Sequence, residues 1–408
     1  MPKFDNYFLM NTEDIKEYAK EKLSIFNSGA VLEAKEIGDG NLNYVYKVWE
    51  EATGKSVIVK QAGHEARISE EIKLSTDRAR IEAEVLIKQG ELAPGFVPEV
   101  YKYDDIMCCC SMQDLSDHTI MRTALIQHKK FPLFADHIST FLVNTLLLTT
   151  DICTEHKAKK LNVQRYINPE LCEISEDLVY TEPYNDLGKR NNVFAPVKDF
   201  VQAELYEDKN LHAEVAKCKF DFMNNAQSLI HGDLHTGSIF ITEESTKVID
   251  PEFAFYAPMG YDIGNVVANL LFAWNNADAT IECEEEKQSY LKWIEDSTTA
   301  LIDLFIEKFN ISFDANVTDH MAKSEGFKEW YLGTVLRDTA AVSGLELIRR
   351  IVGLANVKDI TTISDEAKRA RAEKTCILAG KDFIMNRDQY KTGKDFVGAL
   401  KRALENVK

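Results

Sequence analysis

Positive charge is what this 408-residue chain has least of: 48 lysines and arginines stand against 66 aspartates and glutamates, for a net charge of −18. Such a surface repels phosphate backbones and anionic lipids over a Debye length. No nucleic-acid partner and no membrane surface are therefore expected. A nucleotide is not excluded, because a local basic pocket with a divalent cation can still hold a polyphosphate. Long apolar runs are also missing. Val266 to Trp274 is among the longest, far short of the ~20 residues that a membrane-spanning helix needs. Met1 to Tyr7 has no basic stretch leading into an apolar one, so no signal peptide is expected. No internal repeat or low-complexity tract stands out, and composition argues against disorder. None of the eight cysteines forms a C-x-x-C pair. The Cys108-Cys109-Cys110 run is poor metal-ligand spacing and reads as a buried strand. Reduced thiols and a cytoplasmic location fit this pattern, and the N-x-S/T matches at Asn310 and Asn316 carry no weight without a secretory route.

What is present is an ordinary globular composition, 45% apolar and 28% charged, on a chain long enough for two lobes. Val31 to Ile37, Tyr44 to Trp49 and Val57 to Lys60 read as strands. Asp77 to Lys88 reads as a helix stopped by Pro94, Gly95 and Pro98. Val100 to Tyr103 and Met107 to Met112 read as strands again. Beyond Leu115 the pattern turns helical. Ile138, Phe141, Leu142, Thr145 and Leu146 sit at helical spacing, as do Ile263, Val266, Val267, Leu270, Leu271 and Trp274, and then Leu336, Ala340, Leu347, Ile351 and Leu354. A short β insertion, Ser238 to Ile241 and Lys247 to Ile249, interrupts the helices. The expected fold is α+β and two-lobed: a β-rich lobe over residues 1–112, a hinge at 113–116 and a mainly helical lobe over 117–408.

The strongest chemical signal is His231-Gly232-Asp233-Leu234-His235-Thr236-Gly237-Ser238, followed after the β insertion by Ile249-Asp250-Pro251-Glu252. Phosphoryl transfer asks a protein for a positioned nucleophile, a neutralised triphosphate and an orienting base. Asp233, on a tight loop beside Gly232, suits the base. Asp250 and Glu252 are hard oxygen ligands at i and i+2, able to converge on a magnesium ion across the Pro251 turn. Alone, H-G-D is a common capped turn and D-P-E a common loop start. Together, 17 residues apart with a hairpin pattern between them, they favour a kinase. His231 reads as a structural holder of the loop. A zinc site on His231 and His235 is disfavoured, since the glycine between them opposes the helix that would align the pair.

The second signal is Gly38-Asp39-Gly40-Asn41-Leu42-Asn43, then Lys60 at the end of a β-branched strand. Glycines between strands let backbone amides approach phosphates, and Lys60 would reach them as a point charge. Each piece alone is weak, and G-D-G is also a common hairpin turn. Their order is the stronger evidence: loop, lysine, helix with an acid, hinge, H-G-D, D-P-E. Glu82 and Glu84 are both available to pair with Lys60. Backbone groups of Gln113 and Leu115 in the Gln113-Asp114-Leu115 segment could meet an adenine edge. Asp262 reads as structural, as a helix cap or as an acceptor for the H-G-D loop.

These blocks resemble the aminoglycoside and choline kinases, of the protein-kinase-like superfamily. Within that group, Gly38 to Val45, His231 to Phe240 and Asp250 to Tyr256 resemble the methylthioribose kinases, as do Asp77-Arg78-Ala79-Arg80-Ile81-Glu82 and Glu346-Leu347-Ile348-Arg349-Arg350. The strings run from residue 36 to about residue 355. The resemblance implies ATP as co-substrate, Mg2+ as cofactor, and phosphorylation of 5-methylthioribose at its 1-hydroxyl in methionine salvage. It implies nucleotide-binding roles for Gly38, Gly40, Asn43, Lys60, Glu82, Gln113, Asp114, Leu115, Asp250, Pro251 and Glu252, with Asp250 and Glu252 on the metal. It implies Asp233 as the base, and Asp233, Arg349 and Arg350 as substrate-binding residues in a homodimer. One position departs from the wider kinase pattern. Five residues after Asp233, where an asparagine usually holds a metal, stands Ser238. Two other readings stay open: a related kinase for another alcohol, such as choline, an aminoglycoside or a fructosamine, and a binding module without catalysis. The presence of Lys60, Asp233, Asp250 and Glu252 argues against the last.

Overall fold

The computed structural model describes residues 3–27, 29–37, 43–66 and 69–407. It divides into two compact units, one made of Met1–His118 with Lys247–Ala254, the other of Thr119–Thr246 with Phe255–Lys408. No helix among the described residues is long and apolar enough to cross a membrane.

The first unit is built on strands β1 (Leu32–Glu36), β2 (Asn43–Glu50), β3 (Ser56–Ala62), β6 (Val100–Asp104) and β7 (Cys109–Gln113). They form one antiparallel sheet in the order β1-β2-β3-β7-β6. Alternation places Tyr46 and Val48 of β2, and Val57 and Val59 of β3, in the core. Helix α1 (Thr12–Lys22) adds Ile15, Tyr18 and Ala19 to that core. Asn11 and Asp14 form a capping box at its start. Sequence periodicity did not indicate α1, nor the hairpin of β4 (Glu65–Ala66) and β5 (Ser69–Lys73). Helix α2 (Asp77–Leu92) runs a turn beyond its expected end and buries Ile81, Glu82, Val85 and Leu86.

One expectation needs correction. Of the three consecutive cysteines, only Cys109 and Cys110 enter the strand and are buried, while Cys108 sits in the preceding turn with φ +48°. The cause is local. The Asp104 carboxylate accepts hydrogen bonds from the Ile106 and Met107 amides at 3.2 and 3.0 Å, closing an Asx-type turn that delays the strand.

The second unit is mainly helical. Its core helices are Gly260–Thr280, Glu284–Asn316, Phe327–Val352 and Glu366–Met385. Close approach between them depends on glycine. A Cβ on Gly264 would stand 2.7 Å from the Thr339 carbonyl oxygen, and one on Gly344 would stand 2.3 Å from the Gly380 carbonyl oxygen. The helix expected near Ile138 is regular over Phe134–Leu142 and then widens into a π-helical turn, Val143–Leu147. Leu354 of the third helical pattern falls beyond the end at Val352 and is exposed. Strands Ser228–Ile230 and Phe255–Ala257 pair antiparallel and lead into the segment that carries the H-G-D motif.

Candidate active site

In the first unit, Lys60 projects from β3 toward α2 and the D-P-E turn. Its ammonium lies 2.9 Å from Glu82 and is also in contact with Asp250. Glu84 takes no part in this, since it pairs with Arg80 at 3.0 Å. Asn43, at the start of β2, donates from Nδ2 to Glu252 Oε2 at 2.7 Å and accepts from Arg78 Nε at 3.2 Å. Arg78 is itself buried, 3.6 Å from Glu252, and donates to the Ser75 and Gly63 carbonyls. Asp250 holds a left-handed backbone, φ +71°. For a residue other than glycine that is a strained conformation, of the kind that collects at functional sites.

Glu82, Asp250 and Glu252 can each offer an oxygen within 4.8 Å of the others. Burial pushes Glu82 up to about 8, with Asp250 and Glu252 adding to the rise and Lys60 opposing it. Burial also raises Glu252. Burial alone would lower Lys60, yet the surrounding Asp250, Glu82 and Glu252 hold it well above its ordinary value, so it stays a cation. Ionised together, the three crowded carboxyls would outnumber the two cations, Lys60 and Arg78, by one negative charge. A divalent ion would relieve that crowding, and the all-oxygen donor set is one suited to magnesium or calcium.

The segment after β7 is tied down by the Asp114 carboxylate. It meets Lys47 and Ser56 at 2.7 Å each and accepts from the Ser116 amide at 3.0 Å. The Gln113 N–H donates to the Glu99 carbonyl at 2.8 Å, and the His118 N–H donates to the Leu115 carbonyl at 2.9 Å. Gly38 and Gly40 lie outside the described residues.

In the second unit, the H-G-D loop is held from below by Asp262, in the first turn of the Gly260–Thr280 helix. It is not the N-cap, which is Met259. Its carboxylate accepts from the His231 and Gly232 amides at 2.7 and 3.0 Å, and Gly232 takes φ +85°, a conformation that glycine adopts without strain. The His231 Nδ1 accepts from the Asp233 amide at 3.3 Å. The Ser238 hydroxyl donates to the Asp233 carbonyl at 3.3 Å and lies 3.2 Å from His235 Nδ1, so it finds its partners inside the loop.

Asp233 is 27% exposed, and its Oδ1 receives Arg349 Nη2 at 3.2 Å and Arg350 Nη2 at 3.4 Å. His235 Nε2 lies 3.5 Å from Oδ2. Burial works against ionisation here, but His235, Arg350, Arg349 and His231 outweigh it and hold the carboxyl well below its usual range. Burial pushes the His235 imidazole down to about 3 despite Asp233. At neutral pH the arginines are therefore the cations beside Asp233.

Three residues given no role from sequence belong to these clusters. Arg78 braces Asn43 and Glu252; its only signal was its place in the Asp77–Glu82 string. Glu346 contacts both arginines, and the i−3 and i−4 spacing could have pointed to it. Arg122 donates to Asn269 at 2.9 Å and stands 3.3 Å from the buried Asp359. A Cβ on Gly237 would be 3.0 Å from Arg122 Nη1 and 2.9 Å from His235, which explains the glycine. Nothing in the sequence near Arg122 announces this.

Residues 33–282 match the phosphotransferase enzyme family. The chain is 37% identical to a methylthioribose kinase of Bacillus pumilus over 94% of both chains. It is 38% identical to one from a Geobacillus species, over 92% of this chain and 91% of the other. To one from Erwinia tasmaniensis it is 37% identical, over 92% and 94%.

Proposed function

The chain belongs to the phosphotransferase enzyme family and, within it, to the methylthioribose kinases, and we propose that it transfers the γ-phosphoryl group of ATP to the 1-hydroxyl of 5-methylthioribose. The product is 5-methylthioribose 1-phosphate, an intermediate of methionine salvage. The observation that carries the substrate is the 37% identity to a methylthioribose kinase across 94% of both chains.

In this reading Lys60, oriented by Glu82, meets the α- and β-phosphates together with Asn43 and the Gly38 and Gly40 loop. Gln113, Asp114 and Leu115 hold the adenine. Asp250 and Glu252 hold Mg2+, with Pro251 shaping the turn. When bound, Mg2+ neutralises charge on the triphosphate. Asp233 orients the 1-hydroxyl and accepts its proton. A carboxylate paired with two guanidiniums is a weak base, so it takes the proton late, once bond formation to phosphorus has acidified the hydroxyl. That suits the loose transition state of phosphoryl transfer. Arg349 and Arg350 face the sugar and the developing phosphate charge. Residues 1–112 form the nucleotide-binding lobe, 113–116 the hinge and 117–408 the helical lobe. A cytoplasmic homodimer completes the reading, carried by the family resemblance alone.

The paired guanidiniums at Asp233 also bear on the rival substrates. Choline and aminoglycosides are cations, and this cluster offers them no anionic pocket, because Arg349 and Arg350 already match the Asp233 and Glu346 carboxylates. The test is product identification. With ATP, Mg2+ and 5-methylthioribose, phosphorus NMR should show one new phosphate ester coupled to the anomeric proton. Coupling to another ring proton, or no new ester, refutes the assignment.

A further inference from the structure

Arg349 and Arg350 are neighbours on the Phe327–Val352 helix, and adjacent helical side chains leave the axis about 100° apart. Left to themselves they would not aim at one atom, yet both reach Asp233 Oδ1. The two guanidiniums are bound in the same way. Each uses Nε toward Glu346, Arg350 at 3.0 Å to Oε1 and Arg349 in close contact with Oε2, and each uses Nη2 toward Asp233. One carboxylate, three and four residues back along the helix, thus holds both side chains from the same side. Glu346 is 1% exposed. A carboxylate so deep persists only with its charge compensated, and the two arginines supply that compensation. Glu346 and Asp233 repel each other as like charges, and it is the two arginines, hydrogen-bonded to both carboxylates, that join them.

We infer that Glu346 is the positioning residue for acceptor recognition: by holding Nε of both arginines it converges two divergent guanidiniums on the base and aims them at the sugar. This rests on the kinase reading above. Without Glu346 the pair would still be present and still charged, but each side chain would regain its own rotamers, and the ordering that recognition needs would be lost at binding.

The test is a mutant cycle on the full chain. Glu346→Gln, Arg349→Ala/Arg350→Ala and the triple variant are compared for kcat and KM with 5-methylthioribose, for ATP binding, and for urea midpoint. Glutamine keeps the shape but has one acceptor oxygen, so it can hold one guanidinium and confronts the other with an N–H donor. We expect Glu346→Gln to lower kcat/KM for the sugar by about 10- to 100-fold, in line with losses at other ligand-orienting partners. ATP affinity should stay within about two-fold. In the background lacking both arginines the same substitution should cost less than about two-fold, because its route of action is gone. Equal losses in both backgrounds overturn the proposal and leave Glu346 a role in folding. If Glu346→Gln does not fold, Glu346→Asp, which keeps the charge on a shorter stem, goes through the same cycle, and absence of coupling there overturns the proposal as well. Wild-type sugar turnover in the arginine double variant would instead defeat the reading of the arginines themselves, which separates the two failures.

Discussion

Asp262 makes the most quantitative claim about how the H-G-D loop is held. Its carboxylate is 1% exposed and accepts from two backbone amides, His231 at 2.7 Å and Gly232 at 3.0 Å. Burial pushes this carboxyl up, while His231 and the two amide bonds pull it down. Replacing it by alanine leaves both amides buried without an acceptor. At about 1–3 kcal/mol for each unsatisfied group, Asp262→Ala should cost about 2–6 kcal/mol. That is a large part of the ~5–15 kcal/mol by which a domain is stable. Asp262→Asn is the milder probe. Its oxygen can serve one amide while its own N–H₂ opposes the other, for a cost of about 1–3 kcal/mol. Urea titration followed by tryptophan fluorescence reads the loss, with Trp274, Trp293 and Trp330 all in the second unit. Because the loop carries Asp233, kcat should fall in parallel under native conditions. An Asp262→Asn protein with an unchanged urea midpoint and unchanged kcat would refute this account of the loop.

Asp233→Asn should lower kcat by about 10²- to 10⁴-fold, with ATP affinity within two-fold by calorimetry; near-normal turnover would remove Asp233 from the reaction. His235 titrates at about 3 when folded but near 6.5 when unfolded, so the unfolded chain takes up the proton first as pH falls. Stability from this group is intact above pH 6.5 and is lost toward pH 3. Between pH 7 and pH 5, wild type should lose about 2 kcal/mol more than His235→Gln in urea unfolding; parallel pH dependences would contradict the buried neutral imidazole. Gly344→Ala places a methyl group against the Gly380 carbonyl, 2.3 Å away before any shift. It should destabilise by about 1–3 kcal/mol, read as a lower thermal midpoint, and an unchanged midpoint would mean that the helices part freely there.

Periodicity was enough to place the strands of the first sheet and the long buried helices, because each has one face or more committed to a core. It missed α1, whose buried residues Ile15, Tyr18 and Ala19 are few and separated by charges. It missed the shift of the Cys108–Cys110 strand, which depends on one side chain, Asp104, bonding to the backbone two and three residues on. The site divides along the same line. Asp233, Lys60, Asp250 and Glu252 stand in short motifs whose spacing is imposed by turns, and so could be read directly. The choice between Glu82 and Glu84 could not, because both lie on one helix and only the packing of α2 shows which faces Lys60. Glu346 was half legible, through its helical spacing from the arginines. Arg122 depends on contacts with Asn269 and Asp359, 147 and 237 residues further along the chain, which no local pattern records.

The most direct test of phosphoryl transfer to 5-methylthioribose is ADP formation with Mg2+ across four acceptors: 5-methylthioribose, ribose, choline and kanamycin. The account predicts strong turnover with 5-methylthioribose, little with ribose and none with the two cations. Turnover with choline or kanamycin equal to that with 5-methylthioribose would contradict the role given to Arg349 and Arg350, and silence with 5-methylthioribose in a protein that binds ATP would contradict the function itself.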